Sequence, residues 1–277
     1  MTAPPRILVT GSTGNVGAAL LQAARHRPGV ADAAQWVAAA GLDFQRPDTF
    51  DAALAGVERV FLMRPPAIAR VGRPFGAFVA AMRRHGVGHV AFLSVQGAER
   101  STLVPHRRIE LLLAAAGIPC TFLRPGYFMQ NLNGALALGL ARRGEIVLPA
   151  GAARFDWVDA RDVGEAAAAI LAAPSAHAGR AYTLCGPDRL DFHDVAALLA
   201  AAWARPVRYR PIGVARFLAT ALRDGMPPGR AAATAFLHAL PQPPAPTAAE
   251  RAVLAALLGR PPCALARYAV EHGPPQV

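Results

Sequence analysis

The chain has 277 residues, enough to bury a full core, and 53% of them are hydrophobic, many of these alanine, with a formal net charge of +11 at pH 7. No apolar run approaches the ~18 residues a membrane helix needs, and only Arg6 precedes the first apolar run, without a signal-peptide pattern, so a cytoplasmic protein with no membrane association is expected. The 29 basic residues are all arginine and lie scattered, without charge blocks or interleaved aromatics, which argues against nucleic acid as a partner and leaves phosphorylated or acidic small molecules.

Arg6 to Thr10 reads as a first strand, because Ile7-Leu8-Val9 is a continuous apolar run. The cluster Thr10-Gly11-Ser12-Thr13-Gly14-Asn15-Val16-Gly17 follows, and a helix from Asn15 to about Arg25 comes after it. A strand, a tight glycine turn and a helix N-terminus form a cradle for a pyrophosphate, met by backbone N–H groups without a basic side chain. The spacing Gly-x-x-Gly-x-x-Gly is not the commoner dinucleotide fingerprint, and a purely structural turn is the bland alternative. His26 to Asp43 resists division. Gly29–Gln35 is too alanine-rich for a clear strand, while Trp36-Val37 can end one. Leu42-Asp43-Phe44 reads as another strand end, with Asp48 able to cap a helix through Leu54.

Val60 to Met63 is a buried strand stopped by Arg64-Pro65-Pro66, since proline cannot continue a central ladder. A helix over Gly72–His85, a strand over His89–Leu93 ending at Ser94, a helix over Pro105–Ala116 and a strand over Pro119–Leu123 follow. This alternation predicts an α/β fold, a parallel sheet with helices on both faces. Ligands in such sheets collect outside the strand C-termini, a rule that gathers Gly11, Met63, Ser94 and Arg124 around one crevice. Past Pro125 the pattern loosens into an extended piece at Phe155–Val158, a helix at Arg161–Ala172, a strand at Ala181–Leu184 and a helix at Asp191–Trp203. Pro241 to Pro246 is a linker-like break, and Thr247–Leu258 is a helix opened by a Thr247/Glu250 capping box.

The absence of lysine excludes Schiff-base catalysis and any mechanism in which an ammonium lowers a tyrosine pKa; arginine stays protonated and cannot replace it. Cys120, Cys185 and Cys263 are too far apart for a metal pair and read as reduced thiols filling core space. Asp156, Asp159 and Asp162 lack calcium-loop intervals, so no metal site is expected. His193 and His238 have no recognisable partners for holding a metal. His106, at a helix start below the Ser94 strand end, is the best candidate acid, because imidazole can donate near neutral pH; a helix-start contact is the alternative. Glu110, four residues on, either orients His106 or contacts Arg124. Tyr127 offers a phenol proton to a substrate oxygen, Phe128 and Met129 an apolar slot, and Asn131 a neutral donor and acceptor or a helix cap.

The glycine cluster, Leu42-Asp43-Phe44, Val60-Phe61-Leu62-Met63-Arg64-Pro65-Pro66, Phe92-Leu93-Ser94-Val95-Gln96-Gly97-Ala98, Pro105-His106-Arg107-Arg108-Ile109-Glu110 and Thr121-Phe122-Leu123-Arg124-Pro125-Gly126-Tyr127-Phe128-Met129-Gln130-Asn131-Leu132 occur in that order. Phe155-Asp156-Trp157-Val158-Asp159-Ala160-Arg161-Asp162-Val163, Ala181-Tyr182-Thr183-Leu184-Cys185-Gly186-Pro187 and Leu258-Gly259-Arg260-Pro261-Pro262 follow them. Together these segments resemble the NmrA-like branch of the atypical short-chain dehydrogenase/reductases, particularly its bacterial NAD(P)-binding proteins and quinone reductases.

The resemblance implies a Rossmann-like dinucleotide-binding core over 1–150, then remaining core elements, notably 155–185, and a small, mostly helical substrate-side region over 151–277. It implies NADP or NAD as cofactor, usually NADP, and hydride transfer to a quinone or small carbonyl substrate. By the same comparison Gly11, Thr13, Gly14, Asn15, Val16 and Gly17 hold the pyrophosphate, and Asp43 and Phe44 lie near the adenine. Met63, Arg64 and Pro65, with Ser94 and Val95, approach the ribose and nicotinamide. Pro125, Gly126, Tyr127 and Phe128 line the nicotinamide side, with Phe128 and Asn131 toward substrate. His106 and Tyr127 are the catalytic candidates. The family includes regulators, so a non-catalytic NAD(P)-binding redox sensor with a protein partner is the alternative; a cofactor-free interaction domain is a third. One interval departs from the family's pattern: His26–Gln35 has no basic strand end for a ribose phosphate. Arg25 and Arg27 sit early for that task, and Asp32 could instead receive ribose hydroxyls.

Overall fold

The computed structural model describes residues 4–26, 35–66, 68, 70–102 and 104–276. In chain order the strands are β1 (Arg6–Val9), β2 (Gln35–Ala38), β3 (Arg59–Met63), β4 (His89–Leu93), β5 (Cys120–Pro125), β6 (Tyr127–Phe128), β7 (Glu145–Leu148), β8 (Phe155–Val158), β9 (Ala181–Leu184), β10 (Arg189–Leu190) and β11 (Arg208–Pro211). The helices are α1 (Asn15–His26), α2 (Phe50–Leu54), α3 (Gly72–Arg84), α4 (Pro105–Ala116), α5 (Ala137–Arg143), α6 (Ala160–Ala172), α7 (Phe192–Trp203), α8 (Val214–Arg223), α9 (Pro228–Ala239), α10 (Ala248–Leu258) and α11 (Leu265–His272).

The chain divides into two interleaved units. The first comprises Met1–Gly126, Ala160–Cys185 and Pro246–Pro262; the second comprises Tyr127–Asp159, Gly186–Ala245 and Cys263–Val277. This differs from the expected single boundary near residue 150. The segment after β5 belongs to the second unit, and α6, β9 and α10 return to the first.

In the first unit six strands run parallel in the order β2-β1-β3-β4-β5-β9. The strands are nearly uniformly apolar because helices cover both faces. Leu8, Leu62 and Phe92 face one core with Phe75, Phe78 and Met82 of α3 and Ile109 and Leu113 of α4. The pleat turns Ile7, Val9 and Phe61 to the opposite face, where α6 packs on α1 and on β3, β4 and β5. The α1–α6 crossing is very close: a Cβ on Gly164 would stand 2.7 Å from Leu20 N and 2.8 Å from the Val16 carbonyl oxygen.

Two local expectations are corrected. Leu42-Asp43-Phe44 is not a strand end but a loop. Asp43 Oδ1 accepts the Gln45 N–H at 2.8 Å, and the Asp43 N–H donates to Thr49 Oγ1 at 3.2 Å, so side chains satisfy the backbone locally. Asp48 does not cap α2; it pairs with Arg46 at 2.7 Å, and the residue before α2, Thr49, makes no side-chain cap either. In addition, β5 runs two residues further than Leu123, to Pro125.

In the second unit β6 pairs parallel to β8, β10 pairs antiparallel to β8, and β7 pairs parallel to β11. Tyr127, Phe155, Trp157 and Phe192 form its aromatic centre, with ring centroids 4.7 to 5.8 Å apart. Asp191 caps α7 in a reciprocal box with Asp194, and Thr247 and Glu250 do the same for α10 in the first unit. Arg189 donates to the Pro243 carbonyl at 2.9 Å and fastens part of the proline-rich break. Among the described residues no helix is long and apolar enough to cross a membrane.

Candidate functional site

The glycine turn stands at the carboxyl end of β1, where the sheet order reverses between β2 and β3. Thr10 locks that exit. Its N–H and its hydroxyl both donate to the Phe61 carbonyl at 3.0 Å, and its hydroxyl accepts the Met63 N–H at 2.7 Å. Gly11 then turns with φ +63°, a left-handed conformation that costs little only for glycine. The Gly14 N–H donates to the Gly11 carbonyl at 3.0 Å, and the Gly14 carbonyl accepts the Ala18 N–H at 2.9 Å. Gly14 therefore sits at the cap of α1, and the amides of Asn15, Val16 and Gly17 precede the first amide bonded within the helix, that of Ala18. A Cβ on Gly17 would stand 2.2 Å from the Gly11 carbonyl oxygen, so the helix lies directly on the loop.

This arrangement fits a diphosphate. Amides and the positive helix end converge, and no acidic side chain occupies the first turn of α1. Thr13 and Asn15 are exposed at the turn, while Val16 and Gly17 are buried beneath it. The Met63 methyl lies over the loop, 1.9 Å from where a Gly11 Cβ would be, so a side chain there would have to push the end of Met63 aside as well as hold a left-handed backbone. Arg25 is exposed in the last turn of α1. Arg27 and Asp32 lie outside the described residues.

Phe44, expected beside the adenine, lies at the edge of the core and also lines a surface pocket with Ile68, Arg70 and Arg73. It is 6% exposed and stacks on Phe75 at 4.8 Å, with Phe78 edge-on at 5.1 Å, so its ring mainly serves the core. Asp43 is exposed next to it, with one carboxylate oxygen engaged in its own loop.

Parallel pairing carries the ends of β3, β4 and β5 to the same edge of the sheet. The Ser94 N–H donates to the Leu123 carbonyl at 2.7 Å, and the Gln96 N–H donates to the Pro125 carbonyl at 2.9 Å, which ties the two exits together beside Val95. The Ser94 hydroxyl donates to Glu110 at 2.7 Å. Glu110 is 0% exposed and also accepts from Arg124 Nε at 2.9 Å, Arg124 Nη2 at 2.8 Å and Arg107 Nη1 at 3.0 Å. Burial pushes this carboxyl up, but the bonds from Arg124, Ser94 and Arg107 outweigh it and hold the group below the usual carboxylate range. Of the two sequence readings, Glu110 takes the Arg124 role.

His106 lies half-buried in the first turn of α4, its ring 6.3 Å from that of Phe92. Burial and the nearby Arg64 push its imidazole down to about 4 against a smaller opposing effect of Glu110. The expected near-neutral acid is thus a neutral imidazole at pH 7. Arg64 folds back on its own loop, donating to the Pro65 and Ile68 carbonyls at 3.2 and 2.8 Å, and its Nε is buried with no partner among the described residues.

The second unit contains a pairing that sequence inspection missed. The His238 Nδ1 lies 2.7 Å from the Thr234 carbonyl, which can only accept, so Nδ1 carries the proton. The opposite Nε2 is then an acceptor, and the Tyr127 hydroxyl donates to it at 3.0 Å. Tyr127 is 7% exposed and His238 4%. Burial raises the phenol pKa against a hydrogen bond from Asn131, and burial lowers that of His238. Tyr127 as a ready proton donor is therefore corrected: its proton is directed at the imidazole. The two residues are 111 positions apart, and no local pattern links them. Tyr127, Asn131 and His238 line one cavity; Phe128, next along β6, is half-buried and not part of its lining. Among the described residues no group of His, Cys, Asp or Glu is arranged to hold a metal.

A parallel sheet whose order reverses at a glycine turn defines a Rossmann-type nucleotide-binding protein. The chain belongs to the NmrA-like family, whose profile matches residues 4–232. It is 34% identical over 282 residues to the NAD(P)H azoreductase of Xenophilus azovorans, covering 96% of this chain and 97% of that protein. It is 28% identical over 250 residues to quinone oxidoreductase 2 of Escherichia coli (strain K12), covering 81% and 84% of the two. The crystal structure of Citrobacter sp. triphenylmethane reductase complexed with NADP(H) matches with a TM-score of 0.80 at 23% identity over 96% of this chain and 99% of that one, a shared fold.

Proposed function

We propose that this chain is an NAD(P)-dependent oxidoreductase that passes hydride to a small acceptor of quinone or azo type. The observation that carries the reading is the glycine turn at the sheet's switch point, with Gly11 left-handed, Gly17 packed too closely on the Gly11 carbonyl for a side chain, and three helix amides ahead of the first one bonded within the helix. The family relationship to an NAD(P)H azoreductase and a quinone oxidoreductase supports it.

A reduced nicotinamide supplies the hydride when bound. The Asn15–Gly17 amides hold the diphosphate, and the unpartnered Arg64 Nε offers a donor at the end of β3. Glu110 fixes Ser94 and Arg124 so that the β4 and β5 exits stay rigid. Neither His106, neutral at pH 7, nor Tyr127, bonded to His238, is a charged acid. In this reading water supplies the proton that completes the two-electron reduction, which quinone and azo acceptors tolerate and a lysine-free site permits.

The test is anaerobic mixing of the chain with NADPH or NADH and a panel of quinones and azo compounds, following loss of reduced nicotinamide. Turnover with any member supports the reading. Saturable dinucleotide binding without turnover would replace it with a redox sensor, and no binding of any nicotinamide dinucleotide would remove it. Parallel titrations with the oxidised and reduced forms of both dinucleotides also assign the phosphate preference that His26–Gln35 leaves undefined.

A further inference from the structure

The cavity of the second unit has a volume of about 820 Å³, within the range of pockets that bury a small organic ligand. It is lined by residues of α5, β7, β11, α8 and α9. Its walls mix apolar side chains, among them Leu138, Phe217 and Leu237, with polar and charged ones. Its polar floor, Tyr127 and His238, is uncharged at neutral pH.

The remaining charge is lopsided. Four arginines line the cavity, Arg143, Arg210, Arg216 and Arg230, against two carboxylates, Glu145 and Asp224. Glu145 serves two of the arginines, Arg143 at 3.5 Å and Arg210 at 3.8 Å. Arg216 on α8 and Arg230 on α9 are exposed and share the lining with those apolar side chains. Guanidinium groups so placed can bind an anionic head while their planes cover an aromatic body.

We propose that this cavity binds an apolar anion, an aromatic body carrying one carboxylate or sulfonate, with Arg216 and Arg230 as its anion anchors. The inference names the substrate class and so rests on the oxidoreductase reading, but its test needs no dinucleotide. Calorimetric titration of the full chain alone uses 2-naphthoate, 2-naphthalenesulfonate and the uncharged 2-naphthylmethanol. Both acids should bind about tenfold more tightly than the alcohol at low salt, and this preference should shrink as salt is raised beyond 0.1 M or so, where the screening length is about 10 Å. Arg216→Gln with Arg230→Gln should reduce the preference to below about threefold. Arg73→Gln with Arg83→Gln, an equal charge change at exposed positions of α3 in the first unit, should leave it intact.

Equal affinities for acids and alcohol, tighter binding of the alcohol, or no binding of any probe would each overturn the assignment. An unchanged preference in the double variant would do the same. Should that variant fail to fold, the wild-type salt series decides, because a preference insensitive to salt is not made by arginines. A chain that prefers the acids yet never binds a dinucleotide would sink the redox reading and leave this one standing.

Discussion

Replacing Glu110 by alanine tests the charge network at the sheet's carboxyl edge. The carboxylate is fully buried and accepts four hydrogen bonds, three of them from Arg124 and Arg107. Removing one partner of a buried ion pair costs about 3–5 kcal/mol, because the other charge stays behind unpaired. Arg124 keeps Glu99 at 3.0 Å, and Arg107 is partly solvated, which places the expected loss near the lower end, about 3 kcal/mol. That is a large fraction of the 5–15 kcal/mol typical of a folded domain. Urea unfolding of wild type, Glu110→Ala and Glu110→Gln should be followed by far-ultraviolet circular dichroism and by tryptophan fluorescence, to which Trp36 contributes from the first unit and Trp157 and Trp203 from the second. The folded-state carboxyl lies below its unfolded value, so its contribution is present above the usual carboxylate range and fades as pH falls through the folded value. Wild type should therefore lose stability more steeply below about pH 4.3 than Glu110→Ala does. A loss below about 1 kcal/mol, or identical acid limbs, would refute the network as the clamp on Ser94 and Arg124.

Gly14→Asp should leave the fold intact and weaken dinucleotide binding at least about tenfold, because it puts a carboxylate into an anion cradle; unchanged affinity by titration would move the cradle elsewhere. Over pH 6 to 8 the activity should show no inflection that His106→Ala removes, since that imidazole, at about 4, is already neutral throughout. Tyr127→Phe should cost roughly 1 kcal/mol by leaving His238 Nε2 without its donor, while turnover falls less than about threefold. A hundredfold fall in kcat would restore the phenol as the proton source.

The first unit was legible because its strands are short continuous apolar runs and its helices carry clear starts, such as the proline opening α4 and the Thr247/Glu250 box of α10. Leu42-Asp43-Phe44 misled because an apolar pair around an aspartate looks like a strand tip, whereas Phe44 is drawn into the Phe75/Phe78 cluster and Asp43 bonds its own loop. His106 was misjudged for a related reason: residue type suggests an acid near neutrality, but burial and Arg64 are tertiary facts. The Tyr127–His238 pair is the same lesson at long range, with partners in β6 and α9 and no periodicity to connect them. Arg124 and Glu110, by contrast, could be linked as opposite charges flanking one strand end, and the structure joins them.

The chain crosses between its two units five times, and this governs how it can be cut. A fragment stopping at Gly126 would lack β9, turning β5 into a raw edge open to pairing with other chains, and would strip α1 of the helix pressed against it. The glycine loop thus depends on residues far downstream, so neither half should survive as an excised piece.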